Sequence, residues 1–364
     1  MISFTPNEEQ RLIIETVRRY ATERMRPAAH DADESRHVPS ELIETGWELG
    51  LLPNAIPERY GGFGDEHSAI TGSLAAEELG FGDLGLALYL LTPNLFAIPL
   101  LHCGTEEQKQ KWLPKLGDTA FVPATAALIE PRWDFDPYNL ETNVEHHHIA
   151  YILNGHKSYV PLAGDAQHLL VYARDGESTQ AFIVDKNAPG VTIQSCEKHM
   201  GIRALPTYEV QFDDVRIAPE DKLGGEQGCD FELLLNYSRV ALASLAVGVA
   251  RGAYDYARDY AKTREAFNRP IAHFQAIAFM LAEMAIEVEA ARALTWEAAW
   301  TLDKEQNATQ TASLAKHYAD DAVLFVTDRA VQILGGHGYI REHPVEGWLR
   351  NGRGFTTFLG LAMI

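Results

Sequence analysis

The hydrophobic period of this chain changes twice, and each change marks a boundary between kinds of structure. From Asn7 to about Gly117 the period is helical: Leu12, Ile13, Val17, Tyr20 and Ala21 recur at three-to-four spacing, opposite Glu8, Glu9 and Arg18. A second helix is expected over Ser40 to Leu51, with Pro39 before it, Glu41 and Glu44 near its positive end and Gly50 at its stop. Gly82-Asp-Leu-Gly85 and Thr92-Pro-Asn94 interrupt the next apolar stretch, and Thr105 is placed to cap another helix. From Phe121 to Ile217 the pattern becomes short strands parted by Gly, Pro and Asp, which suggests a small barrel or sandwich. There Asn154-Gly155 reads as a hairpin turn between two strands. From Cys229 the helical period returns. One long helix is expected over Ala308 to Leu334, ended by Gly335-Gly-His-Gly338, and long helices with short joins predict an antiparallel bundle.

Charge narrows the possible partners. With 31 basic and 51 acidic side chains the formal charge is −20, which repels nucleic acid and anionic membrane surfaces. The longest apolar run, Val240 to Ala250, is flanked by Arg239 and Arg251, and a membrane span needs about 20 residues. The N-terminus turns acidic where a secretory signal would be basic and then apolar. Cys103, Cys196 and Cys229 are far apart and odd in number, as suits a reducing compartment. A cytoplasmic protein is expected, with no nucleic-acid or membrane partner.

Metal and nucleophile chemistry are poorly represented. His146-His147-His148 would point to alternate faces of a strand and so could not converge on one ion. No zinc spacing and no Gly-x-Ser-x-Gly elbow occurs. Arg264 and Gln275 stand out because they bracket a proline-containing joint between two long helices. An Arg there can fork onto a phosphate or carboxylate, and an ordinary interhelix hydrogen-bond pair is the plainer use.

Seven stretches, in order, resemble the acyl-CoA dehydrogenase family. They are Pro57-Glu-Arg-Tyr-Gly-Gly-Phe-Gly64, Gly104-Thr-Glu-Glu-Gln108 to Pro114, Leu153-Asn-Gly-His-Lys157, His199-Met-Gly-Ile-Arg203, Phe212 to Pro219, Arg264 to Gln275 and Val331 to Tyr339. The resemblance implies an α+β multidomain fold: an N-terminal helical domain (1–120), a central β-barrel (121–225) and a C-terminal four-helix bundle (226–364). It also implies FAD, an acyl-CoA substrate, a Glu that removes the α-proton, and an electron-transfer flavoprotein that reoxidises the flavin. Family members form tetramers in which part of each FAD is held by a neighbouring subunit.

Carried over residue by residue, the resemblance splits. Arg264, Phe267, Gln275, Gln332 and Gly336 match the groups that reach a neighbour's FAD. The groups that serve a chain's own flavin ring and substrate are replaced. Ile129 stands for a Thr, and Trp133, Asp134 and Phe135 stand for Ala, Gly and Ser, larger groups expected to fill a ligand's place. Pro161 stands for another Thr and has no N–H to offer. Leu359 occupies the usual position of the catalytic Glu, Ser238 its alternative position before Arg239, and Leu361 the place of a Thr. A lost general base costs about 10²–10⁴ in rate. The sequence also stops at Ile364, short of the family's usual tail.

The expected function is therefore that of a catalytically degenerate chain in a heteromeric α2β2 flavoprotein. It would support α,β-desaturation of an acyl-CoA by a homologous, complete subunit. The alternatives are a self-sufficient dehydrogenase with its base moved to Asp134, Asp136 or Glu346, and a non-enzymatic ligand-binding or scaffold homologue.

Overall fold

A computed structural model describes residues 5–118, 120–147 and 150–364. The first helix, α1 (Glu8–Tyr20), starts where side chains satisfy its free N–H groups. Asn7 Oδ1 accepts from Gln10 N, and Gln10 Oε1 accepts from Asn7 N. One π-helical turn, Ala21–Met25, leads into α2 (Arg26–Ser35). The expected helix over Ser40 to Leu51 divides into α3 (Ser40–Trp47) and α4 (Leu51–Ala55). Gly50 lies between them at φ +69, a left-handed geometry that a right-handed helix cannot carry through. Helices α5 (Ala69–Gly82), α6 (Leu84–Leu91) and α7 (Asn94–Cys103) are buried on most sides, and Thr92-Pro93 bends α6 from α7 by 44°. Thr105 caps α8 (Glu106–Leu116) in a full capping box with Gln108, as its spacing predicts.

The middle segment is one seven-stranded mixed sheet. Its strands are β1 (Thr125–Ala127), β2 (Asn143–His147), β3 (Ala150–Pro161), β4 (His168–Asp175), β5 (Ser178–Asp185), β6 (Val191–Cys196) and β7 (Thr207–Ile217). Their order is β1-β4-β2-β3-β7-β6, with β5 on β4. Leu153, Val160, Val171, Phe182, Val210 and Phe212, from four of these strands, meet in one buried cluster, so the sheet curls around its own core. This is the barrel domain, although no ladder joins β5 to β6 among the described residues.

Asn154-Gly155 is not a hairpin turn. Strand β3 runs straight through it, and the register against β7 slips between Leu153 and Gly155. The pair makes a bulge. Gly155 has φ +153 and passes so close to Thr142 that a Cβ there would lie 2.6 Å from its Cα. Asn154 instead exchanges hydrogen bonds with Asp214 on β7. In the histidine run, His146 pairs with Asp175 at 2.8 Å, while His148 lies outside the described residues.

The last segment holds α9 (Phe231–Thr263), a two-stranded hairpin (β8, Glu265–Ala266; β9, Arg269–Pro270), α10 (Gln275–Asp303), α11 (Thr309–Leu334), α12 (Gly336–Tyr339) and α13 (Val345–Gly352). The three long helices and the short α13 make the bundle. Helix α9 is long and apolar enough to cross a membrane, yet 89% of its most apolar window is buried among α5, α10, α11 and α13. It is the core helix of the bundle. Ion pairs fasten the first domain to it: Glu77 and Glu78 on α5 meet Arg251 on α9 at 3.0 and 2.6 Å, and Arg292 on α10 reaches Glu77 at 3.0 Å.

A second buried pair holds the sheet to its long loop. Lys157 is fully buried, and its Nζ donates to Leu128 O at 2.9 Å and to Glu130 Oε1 at 3.1 Å. Glu130 also accepts from the backbone N–H groups of Glu141 and Thr142. Burial lowers the Lys157 ammonium to about 8, against the pull of Glu130. Removing one partner strands the other charge, which costs about 3–5 kcal/mol. Lys157→Met should therefore lower the urea unfolding free energy by about that amount, and Lys157→Met with Glu130→Gln should recover part of the loss.

Candidate active site and cofactor surface

The residues between α7, α9 and the sheet define the first candidate site. After α13 the chain makes a turn at Phe355–Thr357 and runs back across the N-terminal part of α9. Gly360, at φ +84, donates its N–H to Ser238 Oγ at 3.0 Å. The two positions singled out for a catalytic base, Leu359 and Ser238, thus lie side by side. Neither can take a proton: one is a hydrocarbon, and the other is a buried hydroxyl engaged with backbone. The cavity beside them is lined by Leu95, Ala126, Leu128, Tyr172, Phe231, Leu234, Leu235, Ser238, Gly360 and Met363, with no carboxylate. Its volume is about 10 Å³, at the lower limit for a single water. A water there could meet the Tyr172 hydroxyl, which is buried without a partner.

The N-terminal part of α9 carries a polar cluster. Arg239 donates to Glu232 at 2.6 Å, to Asn236 at 2.7 Å and to the Tyr138 hydroxyl at 2.8 Å, and Tyr138 donates to Glu232 at 2.5 Å. Burial raises the Glu232 pKa, but Tyr138 and Arg239 outweigh it and hold the carboxyl below its ordinary value. In the sequence Arg239 stands out only as the neighbour of Ser238 and as the flank of the apolar run from Val240. Tyr138, far away in sequence, gave no signal.

The positions expected to face a chain's own flavin ring offer little. Ile129 is buried, and its carbonyl is taken by Ser158 N at 2.9 Å. Pro161 ends β3, paired with Thr207. Tyr159 stacks on His199 with ring centroids 4.4 Å apart. The expectation that Trp133, Asp134 and Phe135 fill a ligand's place is corrected in part. Trp133 is 97% exposed and points into solvent, because its loop is pinned by Arg132 and Tyr138 on either side of it; only Phe135 packs partly on the core. None of the acids considered as a relocated base lines the cavity. Asp134 faces Arg132, Asp136 accepts from Tyr138 N, and Glu346 is held by Arg350 and Arg341 in a separate hollow.

The second candidate site is on the outside of the bundle. Arg264 ends α9, and its backbone is fixed by Tyr260 O and Ile271 N. Its guanidinium is exposed and makes no ion pair or hydrogen bond among the described residues. Phe267, at the tip of the hairpin with φ +54, is 89% exposed. Gln275 opens α10 and Gln332 lies in the last turn of α11, both exposed. Arg264 and Gly336 line one hollow of about 540 Å³, together with Tyr260, Ile333 and His337. Phe267, Gln275 and Gln332 do not line it. A Cβ on Gly335 or Gly336 would meet nothing within 4 Å, so the backbone there is open to an approaching ligand. His337 accepts from or donates to the Tyr260 hydroxyl at 3.0 Å, a contact the sequence did not suggest.

These donors suit the adenosine and pyrophosphate end of a dinucleotide: a free Arg fork for phosphate, an exposed aromatic ring for stacking, and amides. The first site, by contrast, offers one unpaired hydroxyl, that of Tyr172, while Ser238 is engaged with Gly360 and Ile129 and Pro161 bring no side-chain donor.

Fold and site together define a flavin-dependent dehydrogenase architecture. Residues 7–119, 125–215 and 231–362 match the acyl-CoA dehydrogenase N-terminal, middle and C-terminal domain families. The chain belongs to the acyl-CoA dehydrogenase family, whose cofactor is FAD. It is 35% identical over 356 residues to an acyl-CoA dehydrogenase of Bacillus subtilis (strain 168), covering 95% of this chain and 93% of the relative. It is 35% identical over 367 residues to the caffeyl-CoA reductase-Etf complex subunit CarC of Acetobacterium woodii, covering 98% and 96%. The butyryl-CoA dehydrogenase structure from Megasphaera elsdenii superposes with a TM-score of 0.89 at 31% identity, over 100% of this chain and 96% of that one.

A pair of histidines packs on Tyr237 of α9. His67 Nδ1 and His102 Nε2 are 3.1 Å apart, and His102 stacks on Tyr237 at 4.5 Å. Burial, helped by His102, lowers His67 to about 3; burial, helped by Lys109, lowers His102 to about 4. Unfolded histidines bind protons near pH 6.5, so below that the unfolded chain holds more protons than the folded one. Stability from this pair is complete above about pH 6.5 and is lost as pH falls toward 4. The melting temperature should fall between pH 7 and pH 5, and the slope should flatten in a His67→Gln/His102→Gln variant.

Proposed function

We propose that this chain is the non-catalytic subunit of a heteromeric acyl-CoA dehydrogenase, assembled as α2β2 in the cytoplasm with a homologous subunit that carries the catalytic Glu. The observation that carries this reading is the contrast between the two sites. The exposed set of Arg264, Phe267, Gln275, Gln332 and Gly336 is intact, while the chain's own cavity of about 10 Å³ has no base. The domains are taken as 1–120, 121–225 and 226–364, so that the whole exposed set belongs to the third.

In this reading Arg264 forks onto the pyrophosphate of the partner's FAD, Phe267 and Gln275 hold its adenosine end, and Gln332 with the open backbone at Gly336 supports the same end. FAD supplies the hydride acceptor for α,β-desaturation of an acyl-CoA thioester. The α-proton goes to the partner's Glu, since Leu359 and Ser238 cannot take it. An electron-transfer flavoprotein is the proposed oxidant of the reduced flavin; the similarity to a subunit of a caffeyl-CoA reductase-Etf complex supports it.

The test is expression of the chain alone and together with a complete homologue. The complex should carry about one flavin per two chains and desaturate acyl-CoA, while the chain alone should do neither. Stoichiometric FAD with acyl-CoA oxidation by the lone protein overturns the reading. Within the complex, Arg264→Ala should cost about 1.5–3 kcal/mol of FAD binding, roughly 10- to 150-fold in affinity, because charge-assisted hydrogen bonds are lost. The mutant chain's own melting curve should stay close to that of the unaltered chain, since the Arg264 guanidinium is exposed and makes no ion pair or hydrogen bond among the described residues.

A further inference from the structure

A guanidinium stays charged near neutral pH, so drawing one out of water without an anion beside it is costly. Arg26, at the start of α2, is in that position. Its Nε donates to Phe81 O at 3.0 Å, and it makes no ion pair among the described residues. Its Nη2 is buried without a hydrogen-bond partner, close to α9 where a Cβ on Gly252 would lie 2.9 Å away. Two rings stand where a counter-ion would be expected: the guanidinium carbon is 3.7 Å from the centre of the Phe81 ring and 5.3 Å from that of Trp348. Burial, helped by Arg251, lowers the Arg26 pKa to about 10, which leaves the group charged.

Arg26 lines a hollow of about 680 Å³ between α2, the start of α6 and residues 340–351. Two imidazoles line it as well. His30 is one turn along α2 from Arg26, on the same face, and is exposed. His343 shares a hydrogen bond between its Nδ1 and the Tyr256 hydroxyl at 2.7 Å, which leaves Nε2 without a partner. The other charges around the hollow are matched. Asp33 meets Arg350 at 2.9 Å, Arg341 at 3.0 Å and Arg203 at 3.3 Å, and Glu346 meets Arg350 at 2.7 Å. Asp83 accepts from Leu86 N at 3.0 Å, and Glu342 is exposed, where water screens it.

We infer that this hollow is a binding site for a phosphate group, with Arg26 as its main ligand and His30 and His343 as further donors. A carboxylate would be satisfied by the edge of one guanidinium, whereas donors on three side chains suit an anion with more acceptor oxygens. Ile340, Pro344 and Trp348 give the hollow an apolar wall, against which the organic part of a phosphate monoester can pack. The hollow at Arg264 is a different one, and the two share only Ile340 among their lining residues. The inference therefore goes beyond cofactor sharing and does not depend on it.

The test is calorimetric titration of the full chain, free of flavin and in a buffer without phosphate, with inorganic phosphate and with phenyl phosphate. Binding should be saturable, and the unfolding midpoint should rise by about 3 °C or more at a concentration about a hundredfold above Kd. Tighter binding of phenyl phosphate identifies a monoester as the ligand; equal binding identifies free phosphate. Arg26→Met should weaken binding by about tenfold or more, because charge-assisted hydrogen bonds are lost. Its midpoint without phosphate should match or exceed that of the unaltered chain, since an unpaired charge has been removed. Should this variant not melt cooperatively, His30→Gln/His343→Gln takes its place and should also bind phosphate more weakly. Absence of a saturable response to either ligand overturns the inference, as does a variant that binds as tightly as the unaltered chain. So does a response lost in Arg264→Ala but kept in Arg26→Met, which would put the anion in the other hollow.

Discussion

A 33-residue helix that is apolar around most of its circumference survives in water only when other elements cover it. Helix α9 is covered by α5 from the first domain and by α10, α11 and α13 from its own. Its two ends emerge into different surroundings. The N-terminal end, from Phe231 to Arg239, faces the sheet and the segment after α13. The C-terminal end delivers Arg264 to the outer surface. One rigid element therefore separates the two candidate sites. The inner site can lose its chemistry without disturbing the outer one, because the packing of α9 depends on apolar burial and not on either site.

The polar groups along α9 follow the same division. Arg251 is spent on Glu77 and Glu78, where it joins two domains across a buried contact. Arg239 is spent on Glu232 and Tyr138, where it ties the start of α9 to the loop that carries Tyr138. Arg264 alone among these three arginines has no acidic partner among the described residues. In a chain of charge −20, an unpaired guanidinium in an open hollow is a local positive field, and that field supports the role proposed for it.

Local signals proved reliable where local chemistry decides the outcome. The Thr105 cap formed because Thr and Gln three residues apart satisfy each other's backbone donors whatever the surroundings. Gly50 and Gly335 ended helices because a positive φ stops a right-handed turn. Asn154-Gly155 misled, since the same dipeptide serves a hairpin or a bulge, and only the partner strand β7 and the nearby Thr142 select between them. Trp133 misled for a related reason. Its size was legible, but its direction depends on how Arg132 and Tyr138 anchor the loop on either side.

From residue types and their order alone came the three-part architecture and the family, and with them the proposed assignments of Leu359 and Ser238 to the base's positions and of the outer set to a neighbour's cofactor. Those are properties of side-chain chemistry and spacing, which survive any detail of packing. The linear chain could not show that Leu359 and Ser238 occupy one spot, that Tyr138 and Arg239 lock together across 101 residues, or that Met363 and Ile364 pack inward beside Asn94 and Gly72. Contacts between distant segments are set by which surfaces remain uncovered once the helices and sheet have packed, and that is a property of the assembled core.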